Sequence, residues 1–81
     1  MATLPDGTYD VIVIDAETTD DGDVKLELTI TLGAHVGRVI ALRRHHVVAP
    51  EGAVPDATAL LGIPGTLRVR HGQPSFRPEL T

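Results

Sequence analysis

The chain has no cysteine and no tryptophan, one tyrosine (Tyr9) and one phenylalanine (Phe76). Without cysteine there is no disulfide, no thiolate zinc site and no cysteine nucleophile. Two rings in 81 residues mean an aliphatic core of Val, Ile, Leu and Ala, and little aromatic surface for a base or a sugar. No apolar run approaches the roughly 20 residues that a helix needs to span a bilayer. Met1-Ala2-Thr3-Leu4-Pro5 has neither the basic start nor the apolar stretch of a secretory signal. These absences predict a soluble cytoplasmic protein. The length predicts a single domain over residues 1–81, small enough that assembly into a homo-oligomer would help its stability.

Charge is present but divided. Eight of the eleven acids lie in residues 1–27, beside a single Lys25. Residues 28–81 carry all six arginines and all four histidines against Glu51, Asp56 and Glu79. The formal net charge of −4 therefore conceals a basic half. A partner responds to the local field rather than to the total.

The hydrophobic pattern reads as five short strands. Thr8 to Thr18 forms the first, with the uninterrupted run Val11-Ile12-Val13-Ile14. Such a run suits a strand covered on both faces, or a barrel strand with one face in an interface. Thr19-Asp20-Asp21-Gly22 makes a hairpin turn. Val24, Leu26, Leu28, Ile30 and Leu32 then alternate with Lys25, Glu27, Thr29 and Thr31, the period-two signature of a half-buried antiparallel strand. Glycines 33 and 37 bracket a link into a third strand over residues 38–48. Pro50, Gly52 and Pro55 mark a loop. Residues 56–61 read as a short helix with Asp56 as N-cap and with Gly62 and Pro64 as its stop. Residues 65–71 form a fourth strand, with Leu67 and Val69 inward and Arg68 and Arg70 outward. Gly72-Gln73-Pro74 turns the chain into a short edge strand, Ser75-Phe76-Arg77, flanked by prolines. Five short antiparallel strands, with one short helix between strands 3 and 4, describe an all-β, small OB-like barrel. An SH3-like barrel or an open sandwich does not call for that helix.

Four motifs in order carry a resemblance. Leu4-Pro5-x-Gly7-x-Tyr9-x-Val11 opens the first strand, and Leu26-x-Leu28-x-Ile30 comes next. Gly33-x-x-x-Gly37-Arg38-x-Ile40 and Leu60-Leu61-Gly62-x-Pro64 complete the set. Together they resemble a family of phage-borne OB-fold single-stranded-DNA-binding proteins, formerly of unknown function, encoded beside recombination genes. The likeness covers roughly residues 4–42 and 56–78. It implies single-stranded DNA as partner and a role in protecting or presenting DNA during recombination or replication. The segment before Leu60 is shorter here than in that family, and aromatic and lysine residues are fewer.

Arg38, Arg43, Arg44, Arg68, Arg70 and Arg77 fall on the later strands. A guanidinium presents a planar fork of donors at fixed charge, which matches a phosphate. These six, supported by Lys25, are the candidate nucleic-acid-binding residues; the alternative is that they are solvated surface charges paired with the acids of the first half. Tyr9 and Phe76 are candidate stacking residues, or else both fill the core. His45 and His46 are neighbours in a predicted strand and point to opposite faces, so they do not make a metal pair. Asp20-Asp21-Gly22-Asp23 does not fit a calcium loop. Asp15 and Glu17 share a face without a cleft, and Ser75, the one serine, lies beside prolines. No enzyme, metal or cofactor is expected. The sequence therefore predicts a single-stranded nucleic-acid-binding module with an Arg-rich face. The competing expectation is an oligomerising interaction module without nucleic-acid binding, whose apolar run Val11 to Ile14 forms the subunit contact.

Overall fold

The computed structural model describes residues 4–48 and 57–79. Its elements are β1 (Gly7–Thr18), β2 (Val24–Ile30), β3 (Val39–Arg43), a 3-10 turn (Arg44–His46), α1 (Ala57–Leu60), β4 (Pro64–Arg70) and β5 (Gln73–Pro78). The strands form one antiparallel sheet in the order β3-β2-β1-β4-β5. A parallel bridge between Val47 and Phe76, with the Val48 amide donating to the Phe76 carbonyl at 2.8 Å, brings the chain beyond β3 onto β5. The sheet is thereby curled into a half-barrel of the OB-like kind, as the strand pattern predicts. The loop expected around Pro50, Gly52 and Pro55 and the Asp56 cap lie outside the described residues.

The long first strand serves both halves of the sheet. Its start pairs with β4, from Gly7↔Val69 to Ile12↔Pro64. Its later part pairs with β2, from Val11↔Ile30 to Thr18↔Val24. The register shifts between Val13 and Asp15, so Ile14 is the extra residue of a bulge. A bulge bends a strand and re-aims the side chains beyond it. Val11 and Val13 point inward before it, and Ala16 packs against the core after it. Of the two readings of Val11 to Ile14, this corrects the first, a strand covered on both faces. Ile12 is half-buried on the outer face, and Ile14 stands 46% exposed.

On β2 the period-two pattern holds from Val24 to Ile30, with every even residue buried. Leu32 breaks the expectation at 65% exposure. The strand stops before it because the chain turns. The Thr31 amide donates to the Asp10 carbonyl, and the Gly37 amide donates to Ile30. Gly33 and Gly37 have φ of 94° and 89°, a region that residues with a Cβ enter at a cost.

The third strand is also shorter than expected. It ends at Arg43 because the Arg43 amide donates to Nδ1 of His46 at 3.0 Å, which winds residues 44–46 into the 3-10 turn. After α1, Gly62 donates to the Val13 carbonyl and Val13 donates to Ile63. The bulge is thus tied to the segment that leads into β4. The β4–β5 turn is His71-Gly72 rather than residues 72–74, and Pro74 lies within β5 opposite Val69. The described core is Val11, Val13, Val24, Leu26, Leu28, Ile30, Leu42, Leu60, Leu67, Val69 and Phe76. Among the described residues it contains no polar or charged side chain, so it is held by apolar burial alone.

Candidate functional site

The cross-strand register places the arginines in two groups. On the outer face of β1, β4 and β5, Thr8 lies opposite Arg68 and Arg68 opposite Ser75. In the next row on the same face, Asp10 lies opposite Thr66 and Thr66 opposite Arg77. Arg77 is therefore the diagonal neighbour of Arg68, a spacing of about 7–8 Å in an antiparallel sheet. Arg70 follows Arg68 by two residues and shares its face.

Thr8, Thr66, Arg68, Ser75 and Arg77 line a groove of about 280 Å³. A more open groove of about 480 Å³ is lined by Asp6, Gly7, Thr8, Arg68, Val69, Arg70 and His71. Thr8 and Arg68 belong to both, so the two grooves meet at this cross-strand pair. Arg68, Arg70 and Arg77 are all exposed. Among the described residues none of the three forms an ion pair. The carboxylates that share the face, Asp10 and Glu79, leave them uncapped. Asp6, in the lining of the more open groove, forms no ion pair among the described residues; its two oxygens accept the backbone amides of His71 at 2.9 Å and Gly72 at 3.2 Å, and its negative charge stays at the rim.

The second group lies at the far side of the sheet, among acids. Lys25 on β2 sits between Glu17 on β1 and Arg43 on β3. Arg43 approaches the Asp23 carboxylate at 3.8 Å. Arg44 donates to the Gly22 carbonyl at 3.2 Å. Arg38 is exposed just before β3. In the β1–β2 turn, the Thr19 hydroxyl bonds the Asp21 carboxylate. That bond, followed by the Asp23 amide, holds the Asp21 carboxyl below its usual value. An OB-fold binds oligonucleotides chiefly on the face of strands 2 and 3 and on the loops after strands 1 and 4. Here the first of those loops carries Asp20, Asp21 and Asp23, and the strand face carries Glu17 and Glu27 beside Lys25 and Arg43. Arg68, Arg70 and Arg77, without an ion pair among the described residues, lie instead on β4 and β5.

The aromatic candidates lie on the opposite side of the sheet from that surface. Tyr9 pairs with Leu67, and Leu67 with Phe76, in a single inward row. Phe76 is 0% exposed and is a core residue, which corrects its place among the stacking candidates. Tyr9 is half-buried. Its hydroxyl donates to the Pro5 carbonyl, and its ring meets His35 edge-on at a centroid distance of 5.9 Å. The rings of His45 and His46 meet in the 3-10 turn at a centroid distance of 3.9 Å, tilted by 44°, a consequence of the turn that replaces the expected strand. Sequence reasoning missed the hydroxyls of Thr8, Thr66 and Ser75. For Thr66 and Ser75 the available signal was parity, since each lies two residues from an outward arginine on its own strand; Thr8 joins them only through the register of β1 on β4.

Among the described residues, no helix is long and apolar enough to cross a membrane. Comparison with protein-family models, with curated proteins and with solved structures gave no match to this chain.

Proposed function

We propose that the chain is a single-stranded nucleic-acid-binding module, acting on DNA, that grips phosphates with Arg68, Arg70 and Arg77. The observation that carries this reading is the gathering of these three guanidiniums on one outer face, without a carboxylate partner among the described residues. Thr8, Thr66 and Ser75 add neutral donors along the same groove. Guanidinium forks and hydroxyls are the groups that hold a phosphate backbone. Arg38, Arg43, Arg44 and Lys25 contribute a weaker outlying field. The order of the Leu4–Val11, Leu26–Ile30, Gly33–Ile40 and Leu60–Pro64 motifs adds support for a phage-type recombination role and a cytoplasmic setting. Binding of a fluorescent oligo-dT, measured at low and at moderate salt, tests the reading. Micromolar or tighter affinity that weakens as salt rises is expected. An Arg68→Glu/Arg70→Glu chain that binds as well as the parent would displace the site.

A second reading rests on a separate observation. Ile14, Leu32, Val36 and Val39 are large apolar side chains left more than two-fifths exposed, and the acidic β1–β2 hairpin complements the basic β4–β5 face. In this reading the chain is a homo-oligomerising module without nucleic-acid binding. Sedimentation velocity over a range of concentration and salt separates the two. A salt-sensitive assembly that ignores oligo-dT favours the second reading, and a monomer that binds oligo-dT favours the first.

A further inference from the structure

A site that reads single strands through their bases needs rings on the face that meets the strand. This chain has only two aromatic rings of the Phe, Tyr and Trp kind, and the strand register sends both to the other side of the sheet. Tyr9, Leu67 and Phe76 form one cross-strand row, and Thr8, Arg68 and Ser75 form the adjacent row one residue away along the strands. Successive residues of a strand point to opposite faces. The thickness of the sheet therefore separates the rings from Arg68. Phe76 is sealed in the core. Tyr9 is committed to the Pro5 carbonyl and to the edge of His35. On the arginine face the grooves are lined by three guanidiniums, three hydroxyls, Val69, the imidazole of His71, the Asp6 carboxylate and backbone. The dominant chemistry of that lining is phosphate recognition.

We infer that this face holds a phosphodiester chain by its backbone alone and takes no binding energy from the bases. The inference rests on the nucleic-acid reading above and specifies its ligand: a single strand of any base content, including one with no bases at all. Arg68 and Arg77 on the diagonal, and Arg68 and Arg70 along β4, offer phosphate contacts in two directions from one shared residue. Three contacts on a single strand give a slope of log affinity against log salt of about −2. Among the described residues that line the grooves, the guanidinium planes and His71 are the only side-chain π surfaces. His71 can be removed without removing an arginine.

The test uses the full chain and two fluorescent strands of equal length at the same low salt. One is oligo-dT, and the other carries an abasic tetrahydrofuran unit at every position. Equal affinities within about threefold are expected, because a site that stacks bases loses about fivefold or more for each base removed. Arg68→Glu should weaken both affinities to the same degree, and His71→Gly, which takes the imidazole out of the groove lining, should leave the ratio of the two affinities unchanged. Oligo-dT bound more than about threefold tighter than the abasic strand overturns the inference while leaving the nucleic-acid reading in place. Binding of neither strand by the parent chain removes that reading, and this inference with it.

Discussion

Gly65 on β4 leaves the space that the Phe76 ring fills from β5. A Cβ placed on Gly65 would stand 2.5 Å from Cε1 of Phe76 and 2.5 Å from the carbonyl oxygen of Arg77. The second contact is with backbone, which cannot swing aside as a side chain can. The glycine therefore sets how closely β5 lies on β4, and with it the distance between the Arg68 and Arg77 rows.

Gly65→Ala should destabilise the fold by about 1–3 kcal/mol, the usual cost of overpacking a well-filled core. Urea denaturation monitored by circular dichroism measures it. The variant should also weaken oligo-dT binding beyond its loss of folded protein, because Arg77 moves with the displaced Phe76. A Gly65→Ala chain with the parent's urea midpoint would show that β5 can move outward at no cost.

The β4–β5 turn carries an avoidable strain. His71 has φ of 54° and Gly72 has φ of 76°. Two successive residues at positive φ make the primed hairpin turn that prefers Asn-Gly. Any Cβ is penalised there, and asparagine offsets part of that cost because its short amide bonds the local backbone. His71→Asn should raise stability by up to about 0.5 kcal/mol, the usual range for an exposed substitution. Asp6→Ala should lower it by about 1 kcal/mol, because two turn amides lose their charged acceptor. Thermal denaturation of the two variants checks both signs. A His71→Asn chain less stable than the parent would mean that the imidazole holds the turn in some other way.

Much of this geometry is legible in the sequence, and the reasons for the rest are specific. The alternation from Val24 to Ile30 announces β2 because one face is dry and the other wet. The same logic places Arg68 and Arg70 outside Leu67 and Val69. Leu32 misleads because a turn, stabilised from Asp10 on a different strand, ends β2 before the pattern does. The run Val11 to Ile14 misleads because its two outward residues, Ile12 and Ile14, are as apolar as its two inward ones, and the bulge at Ile14 then flips the parity beyond it without any marker in the residues themselves. The end of β3 depends on His46 reaching back to the Arg43 amide, a side-chain bond that no periodicity encodes. Which arginines are compensated is a question of register. Glu17, Lys25 and Arg43 come into one row only once β1, β2 and β3 are aligned.

That register separates the arginines in function. Arg43 already has Asp23 beside it and Lys25 opposite, whereas Arg68 has hydroxyl neighbours in the grooves. Charge reversal at Arg68 should therefore cost more oligo-dT affinity than reversal at Arg43. Arg68→Glu should weaken binding by about tenfold or more and reduce the magnitude of the salt slope by about 0.7, the loss of one phosphate contact. Arg43→Glu should leave that slope nearly unchanged. Fluorescence anisotropy at several salt concentrations measures both variants. Equal losses at the two positions would mean that the strand lies across β3 as well as β4.

The 3-10 turn predicts how stability responds to acid. His46 is held below the ordinary imidazole value of 6.5, first by burial and then by the charge of the neighbouring His45. Its Nδ1 accepts the Arg43 amide at 3.0 Å, and a protonated Nδ1 cannot accept. Arg43, Arg44 and His45 surround it on its own segment. Lys25 lies opposite Arg43 on β2, with Asp23 as the nearby counter-charge. The neutral ring is thus the form the fold prefers. Above pH 6.5 the ring is neutral in both folded and unfolded chains, and its contribution is fully present. As pH falls below 6.5 the unfolded chain takes up the proton first, so stability is lost until the folded ring also protonates, and levels off below that point. The turn leads directly into Val47 and Val48, whose contacts with Phe76 join the β3 side of the barrel to β5, so loosening should begin at this seam. Urea midpoints measured from about pH 7.5 to about pH 5 should fall for the parent. The fall should be smaller for His46→Asn, which keeps an acceptor for the Arg43 amide and cannot titrate. Parent and variant falling in parallel would assign the acid sensitivity to another group.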